Sequence, residues 1–144
     1  MRFKVVSKKF NEKFLNNFIA LDKVCCEKFG VAINGVTEYI NRLNNARFAP
    51  DRDEVLPTLV KYRNLRNRFA HEPEALKKSD DLKKADCKWV KKFTKSVKGK
   101  KDPISKYLKK ARRFARRRKA GKVFLVLLIV AAAAVAGYFA VTSL

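Results

Sequence analysis

The chain has 144 residues, with 35 Lys and Arg against 13 Asp and Glu, a net charge of +22. That balance favours polyanionic partners, nucleic acid or anionic lipid, without choosing between them. Three cysteines, two of them adjacent, and a single histidine argue against a disulfide framework and do not make the usual zinc spacing, so no metal and no cofactor is expected.

In chain order, the pattern is helical nearly throughout. Phe10, Phe14, Phe18, Leu21 and Cys25 recur at three- and four-residue steps and make one apolar stripe, with Gly30 as its stop. Only residues 3–6 offer a candidate strand. After the Asn34–Gly35 turn, Val36, Tyr39, Ile40 and Leu43 form a second, shorter stripe. A loop over 48–53 follows, in which Asp51 or Asp53 is placed to cap the next helix. That third helix is predicted over 54–72, burying Val55, Leu59, Tyr62, Leu65 and Phe69, with Pro57 in its first turn and Pro73 forcing a break. A fourth is predicted over 80–98, capped by Ser79 and stopped by Gly99, with Leu82, Trp89, Val90, Phe93 and Val97 inward. Asp102–Pro103 marks a fresh helix start.

The last third changes character. Residues 106–122 hold ten Lys or Arg and no acid, while Ile104, Tyr107, Leu108, Ala111 and Phe114 supply an apolar side. A helix of this kind lies well on anionic lipid, at about 1 kcal/mol per cation, and Lys109, Lys110, Arg112, Arg113, Arg116, Arg117, Arg118 and Lys119 are the expected headgroup contacts. The same cations suit RNA phosphates. Residues 123–141 then run for nineteen positions without a charge, apolar on every face, enough to cross the roughly 30 Å hydrocarbon core. The flanking cations predict a single-pass tail anchor with the N-terminal domain in the cytoplasm. All thirteen acids lie within residues 1–105, which still carry a net +12. The expected architecture is therefore all-α, a small four-helix bundle over 1–100, a basic amphipathic helix over 101–122 and one transmembrane helix over 123–144.

The chemistry concentrates in residues 62–76, YRNLRNRFAHEPEAL. On a helix Arg63, Asn67 and His71 lie at i, i+4 and i+8 along one polar stripe, with Arg66 beside it and Tyr62, Leu65 and Phe69 opposite. A row of Arg, Asn and His suits attack of a ribose 2′-hydroxyl on its neighbouring phosphate. Histidine moves protons near neutral pH, and arginine offers a donor fork matched to phosphate oxygens. One His cannot easily serve as both base and acid, and a symmetric dimer supplies the second.

The run Arg66-Asn67-Arg68-Phe69-Ala70-His71 resembles the signature of the HEPN superfamily, whose small all-helical domains carry Arg, a polar residue, a few more residues and then His. The resemblance implies a four-helix HEPN-like domain that acts on RNA as a metal-independent endoribonuclease and works as a homodimer. It also implies a defence, antiviral or toxin setting, with an antitoxin or regulatory protein as a further partner. It makes Arg66 and His71 catalytic, with Asn67 orienting or binding, and leaves Arg63 and Arg68 to contact substrate. Two other classes stay open, a non-catalytic RNA- or protein-binding module at the membrane and a small membrane-active protein.

Overall fold

The first apolar stripe lies on α1, Arg2–Phe29, of which Phe14, Phe18, Leu21, Val24 and Cys25 are buried. A computed structural model describes residues 2–72, 74 and 82–142, and among these there is no strand. The candidate strand at 3–6 falls inside α1. Two adjacent valines among Lys4, Ser7, Lys8 and Lys9 have no partner strand and simply join the helix. Gly30 ends α1 in the left-handed region, at φ 69°, where its N–H and that of Val31 both bond the Cys26 carbonyl.

The second stripe is α2, Gly35–Asn45, with Val36, Tyr39, Ile40 and Leu43 inward. The third is α3, Arg52–His71, which buries Leu59, Tyr62, Leu65 and Phe69. Asp51 stands at its N-cap with φ 59° but makes no side-chain cap; its carboxylate instead accepts from Lys106 at 2.9 Å. Because α3 starts two residues earlier than the pattern suggests, Pro57 is its sixth residue rather than a first-turn one. The bond it cannot donate is a true intrahelical one, toward the carbonyl of Asp53. The fourth helix, α4, spans Lys84–Lys98, so Leu82 and Lys83 precede it. Asp86 caps it by reaching back to the Lys83 N–H at 2.7 Å. The expected break at Pro73 and cap at Ser79 lie outside the described residues. The last helix, α5, runs Pro103–Thr142.

The chain divides into two compact units, residues 1–107 and 108–144. In the first, α1 packs on α2 and α4, and α2 on α3. Its core is aromatic. Phe14 meets Tyr62 edge-on at 5.3 Å, and Trp89 lies between Tyr62 at 5.4 Å and a stacked Phe93 at 4.9 Å. These rings are packing elements, each worth about 1.5–3 kcal/mol when fully buried. Tyr62 also donates to Asp86 at 2.7 Å, fastening α3 to the cap of α4.

The start of α5 belongs to this unit and is fixed by a buried carboxylate. Asp102 accepts from Lys28 Nζ at 2.7 and 2.8 Å, from Tyr39 OH at 2.8 Å, and from the hydroxyl and N–H of Ser105 at 2.7 and 3.2 Å. It is therefore the N-cap of α5 and a tie to α1 and α2 at once.

In the second unit, residues 108–136 are exposed. The apolar side expected of the basic segment is covered only at Ile104 and Tyr107, in the first unit, whereas Leu108 and Phe114 are exposed. The apolar run that follows makes α5 the one helix, among the described residues, long and apolar enough to cross a membrane; its most apolar 18-residue window has a mean hydropathy of 2.1.

Candidate functional site

The polar side of α3 faces a cleft of about 480 Å³ in the first unit, bounded by α1, residues 32–34 and the start of α2. Two local features open it. Gly35 lets α2 begin hard against α1: a Cβ there would overlap the Asp22 carbonyl oxygen and the Cys26 amide nitrogen. Asn34 precedes it in the left-handed region, at φ 58°, and has no side-chain cap bond. Asp22, one helix away, does the capping, its Oδ1 accepting the Val36 N–H at 2.8 Å. A carboxylate at a helix N-terminus also complements the macrodipole.

From α3 come Arg63, Arg66 and Asn67, and from α1 come Asp22, Lys23 and Cys26. Arg66 Nη1 donates to Asn67 Oδ1 at 3.2 Å, which aligns the two motif residues on the cleft wall. Arg63 donates to Asn64 Oδ1 at 3.2 Å. The three cations concentrate positive charge on a concave surface, the arrangement that holds a phosphate.

The structure thus brings three of the motif residues together and sets two apart. His71, the final residue of α3, is exposed and does not line the cleft. It stands four residues past Asn67 on the same face, about 6 Å further along the axis. Arg68 turns away, its guanidinium 6.0 Å from the Phe69 ring centre. The basic residues 109–119 belong to the second unit.

Lys23, Asp22, Cys26, Ile33 and Thr37 line the cleft without any sequence signal having marked them for it, and Asn34 joins them. The Asn34–Gly35 pair, read as a turn, was the available clue, since a glycine opening a helix permits close approach to a neighbour. All three cysteines are free. Burial pushes Cys25 up to about 12, with Asp22 adding to the effect, and burial likewise raises Cys87. Among the described residues no cluster of three His, Cys, Asp or Glu is placed to hold a metal ion.

Bundle and cleft define an all-helical domain with a basic concave site, joined to a basic and then apolar helix. Residues 12–123 match the model of a family described as a family of unknown function, DUF6548, and the chain belongs to that family. The match takes in the bundle and the basic stretch and closes at Val123, where the apolar run begins. No curated protein and no solved structure is matched.

Proposed function

We propose that the chain is a membrane-tethered ribonuclease of HEPN type, its cleft cradling an RNA phosphate and His71 moving the proton. The observation that carries this reading is the convergence of Arg63, Arg66 and Asn67 with Lys23 on one cleft, a turn of helix from the only histidine. In the reaction, neutral His71 takes the proton of a ribose 2′-hydroxyl. The 2′ oxygen then bonds to phosphorus while the bond from phosphorus to the 5′ oxygen breaks. The products are a 2′,3′-cyclic phosphate and a 5′-hydroxyl, and the 5′ oxygen needs a proton as it leaves. The second copy of His71 in a homodimer supplies it. Arg66 stabilises the charge on the five-coordinate phosphorus through its donor fork. Helix α5 holds the protein in the bilayer with its cations on the cytoplasmic side, against anionic headgroups.

The test is cleavage of single-stranded RNA by the full chain in lipid nanodiscs, with and without EDTA. His71→Ala is expected to lose about 10²–10⁴ in rate, and Arg66→Lys about 10²–10³, with circular dichroism unchanged. Cleavage that persists in His71→Ala, or that stops with EDTA, overturns the ribonuclease assignment.

One observation favours a second reading, a module that binds RNA without cutting it. His71 lies outside the cleft that the cations line. On that reading RNA binds in the cleft, His71→Ala changes nothing, and Arg66→Ala abolishes binding.

A further inference from the structure

Away from its cations the cleft becomes apolar. Phe18, Ile19, Ile33 and Val36 line it, and Ile19 and Ile33 remain 54% and 73% exposed. Among these apolar walls stand three small polar groups, Asp22, Asn34 and Thr37. A phosphate alone needs neither the apolar walls nor the carboxylate. A volume of about 480 Å³ lies within the range of small-molecule sites, about 300–1,000 Å³. Nucleotides join an anion to a flat body with apolar faces and hydrogen-bonding edges, a combination that this lining suits. Single-stranded RNA is read in this way, one unstacked base at a time.

We infer that the cleft is a pocket for a single nucleobase beside the bound phosphate, and that Asp22 selects bases carrying an exocyclic amine. This rests on reading Arg63 and Arg66 as the phosphate cradle. Asp22 Oδ1 is committed to the Val36 N–H. Among the described residues Oδ2 is met by the Cys26 thiol, at 3.8 Å, a weak donor. That oxygen therefore keeps acceptor capacity toward the cleft. A carboxylate accepts from the amino groups of cytosine, adenine or guanine, and is set against the carbonyl edge of uracil. The apolar walls, Ile19, Ile33 and Val36 with the Phe18 ring, hold the base by contact, so selection falls to Asp22.

The experiment measures binding of AMP, CMP, GMP and UMP, and of ribose 5-phosphate as the baseless probe, to the full chain in nanodiscs by calorimetry. At least one amine-bearing nucleotide is expected to bind about tenfold more tightly than both UMP and ribose 5-phosphate. Arg66→Ala is expected to weaken all five probes alike. Asp22→Asn retains an acceptor for Val36 but presents an N–H₂ donor in place of Oδ2, and is expected to move the preference toward UMP without changing the affinity for ribose 5-phosphate. Should Asp22→Asn fail to fold, Ile33→Ser in the exposed loop removes a wall instead, and is expected to weaken nucleotides but not ribose 5-phosphate. Equal binding of all five probes, or no change of preference in the folded variants, overturns the base pocket. Selective binding without RNA cleavage leaves the pocket standing and removes the ribonuclease. Cleavage without binding of any mononucleotide does the reverse.

Discussion

Asp102 has no exposed side-chain surface, and its partner Lys28 is 17% exposed. Burial alone would raise the carboxyl, but hydrogen bonds from Lys28, Ser105 and Tyr39 outweigh it and hold Asp102 below its ordinary value of 3.8. The same contact acts in the opposite direction on Tyr39, where burial and the adjacent carboxylate push the phenol well above its usual range. The depressed value fixes the sign of the acid response. The unfolded chain binds this proton more readily than the folded one, so the contribution is complete above 3.8 and is lost as pH falls through the lower, folded value. Asp102→Asn leaves a partly buried ammonium without its counter-charge and is expected to cost about 3 kcal/mol at neutral pH. Urea melts between pH 2 and 7 check both points: the variant should be less stable at neutral pH, and its difference from the parent should shrink in acid. Nothing in the sequence marked this residue as more than a helix start, because Lys28, Tyr39 and Asp102 are brought together only by the packing of α1, α2 and α5.

At the scale of elements, the cleft exists because α2 starts where it does. Gly35→Ala would press a methyl group into the Asp22 carbonyl and the Cys26 amide, main-chain groups that cannot rotate aside. A cost of about 1–3 kcal/mol is expected from such overpacking, read as a drop in thermal midpoint together with displacement of α2 from α1. The apolar stripes of α1, α2 and α3 were legible because burial on one face imposes a 3.6-residue period, and Phe14, Leu21, Tyr39, Leu43, Leu59 and Phe69 all lie in the core. Helix starts were read less well. Asp51 has the chemistry of a cap yet pairs with Lys106, and α4, expected from residue 80, starts at Lys84 and is capped from inside by Asp86. A cap is decided by where a side chain is pulled, and for Asp51 that pull comes from a helix more than fifty residues away. The motif on α3 was readable as a stripe because it is local. Its cleft was not, since Lys23 and Asp22 join it only through tertiary packing.

For the molecule as a whole, the proposed ribonuclease raises the question of which cations would meet RNA. The cleft offers three, Lys23, Arg63 and Arg66, and residues 106–122 offer ten. Single-stranded binding falls with salt at about −0.7 per phosphate contact in a log–log plot, so the cleft alone predicts a slope near about −2 and engagement of the basic helix one near about −7. On the proposal that α5 is a membrane anchor, the expected result is the shallow slope, because anionic headgroups would occupy the basic helix. Anisotropy of labelled RNA across a salt series, with the full chain in nanodiscs of anionic and of neutral lipid, checks it. A steep slope in anionic discs would assign the helix to RNA.

The Asp102 tie has a mechanical consequence. A pull along α5 meets the bundle over residues 102–107, where Tyr107 packs on the core and Lys106 bonds Asp51. There the load leaves the backbone and crosses through Asp102 to Lys28 of α1 and Tyr39 of α2. Because the bonds to Lys28 and Tyr39 share that load, none carries it alone. Tension along α5 is thereby delivered to α1 and α2, two of the helices that border the cleft. On the proposal that α5 is a membrane anchor, a pull from the bilayer would strain the first unit beside its cleft.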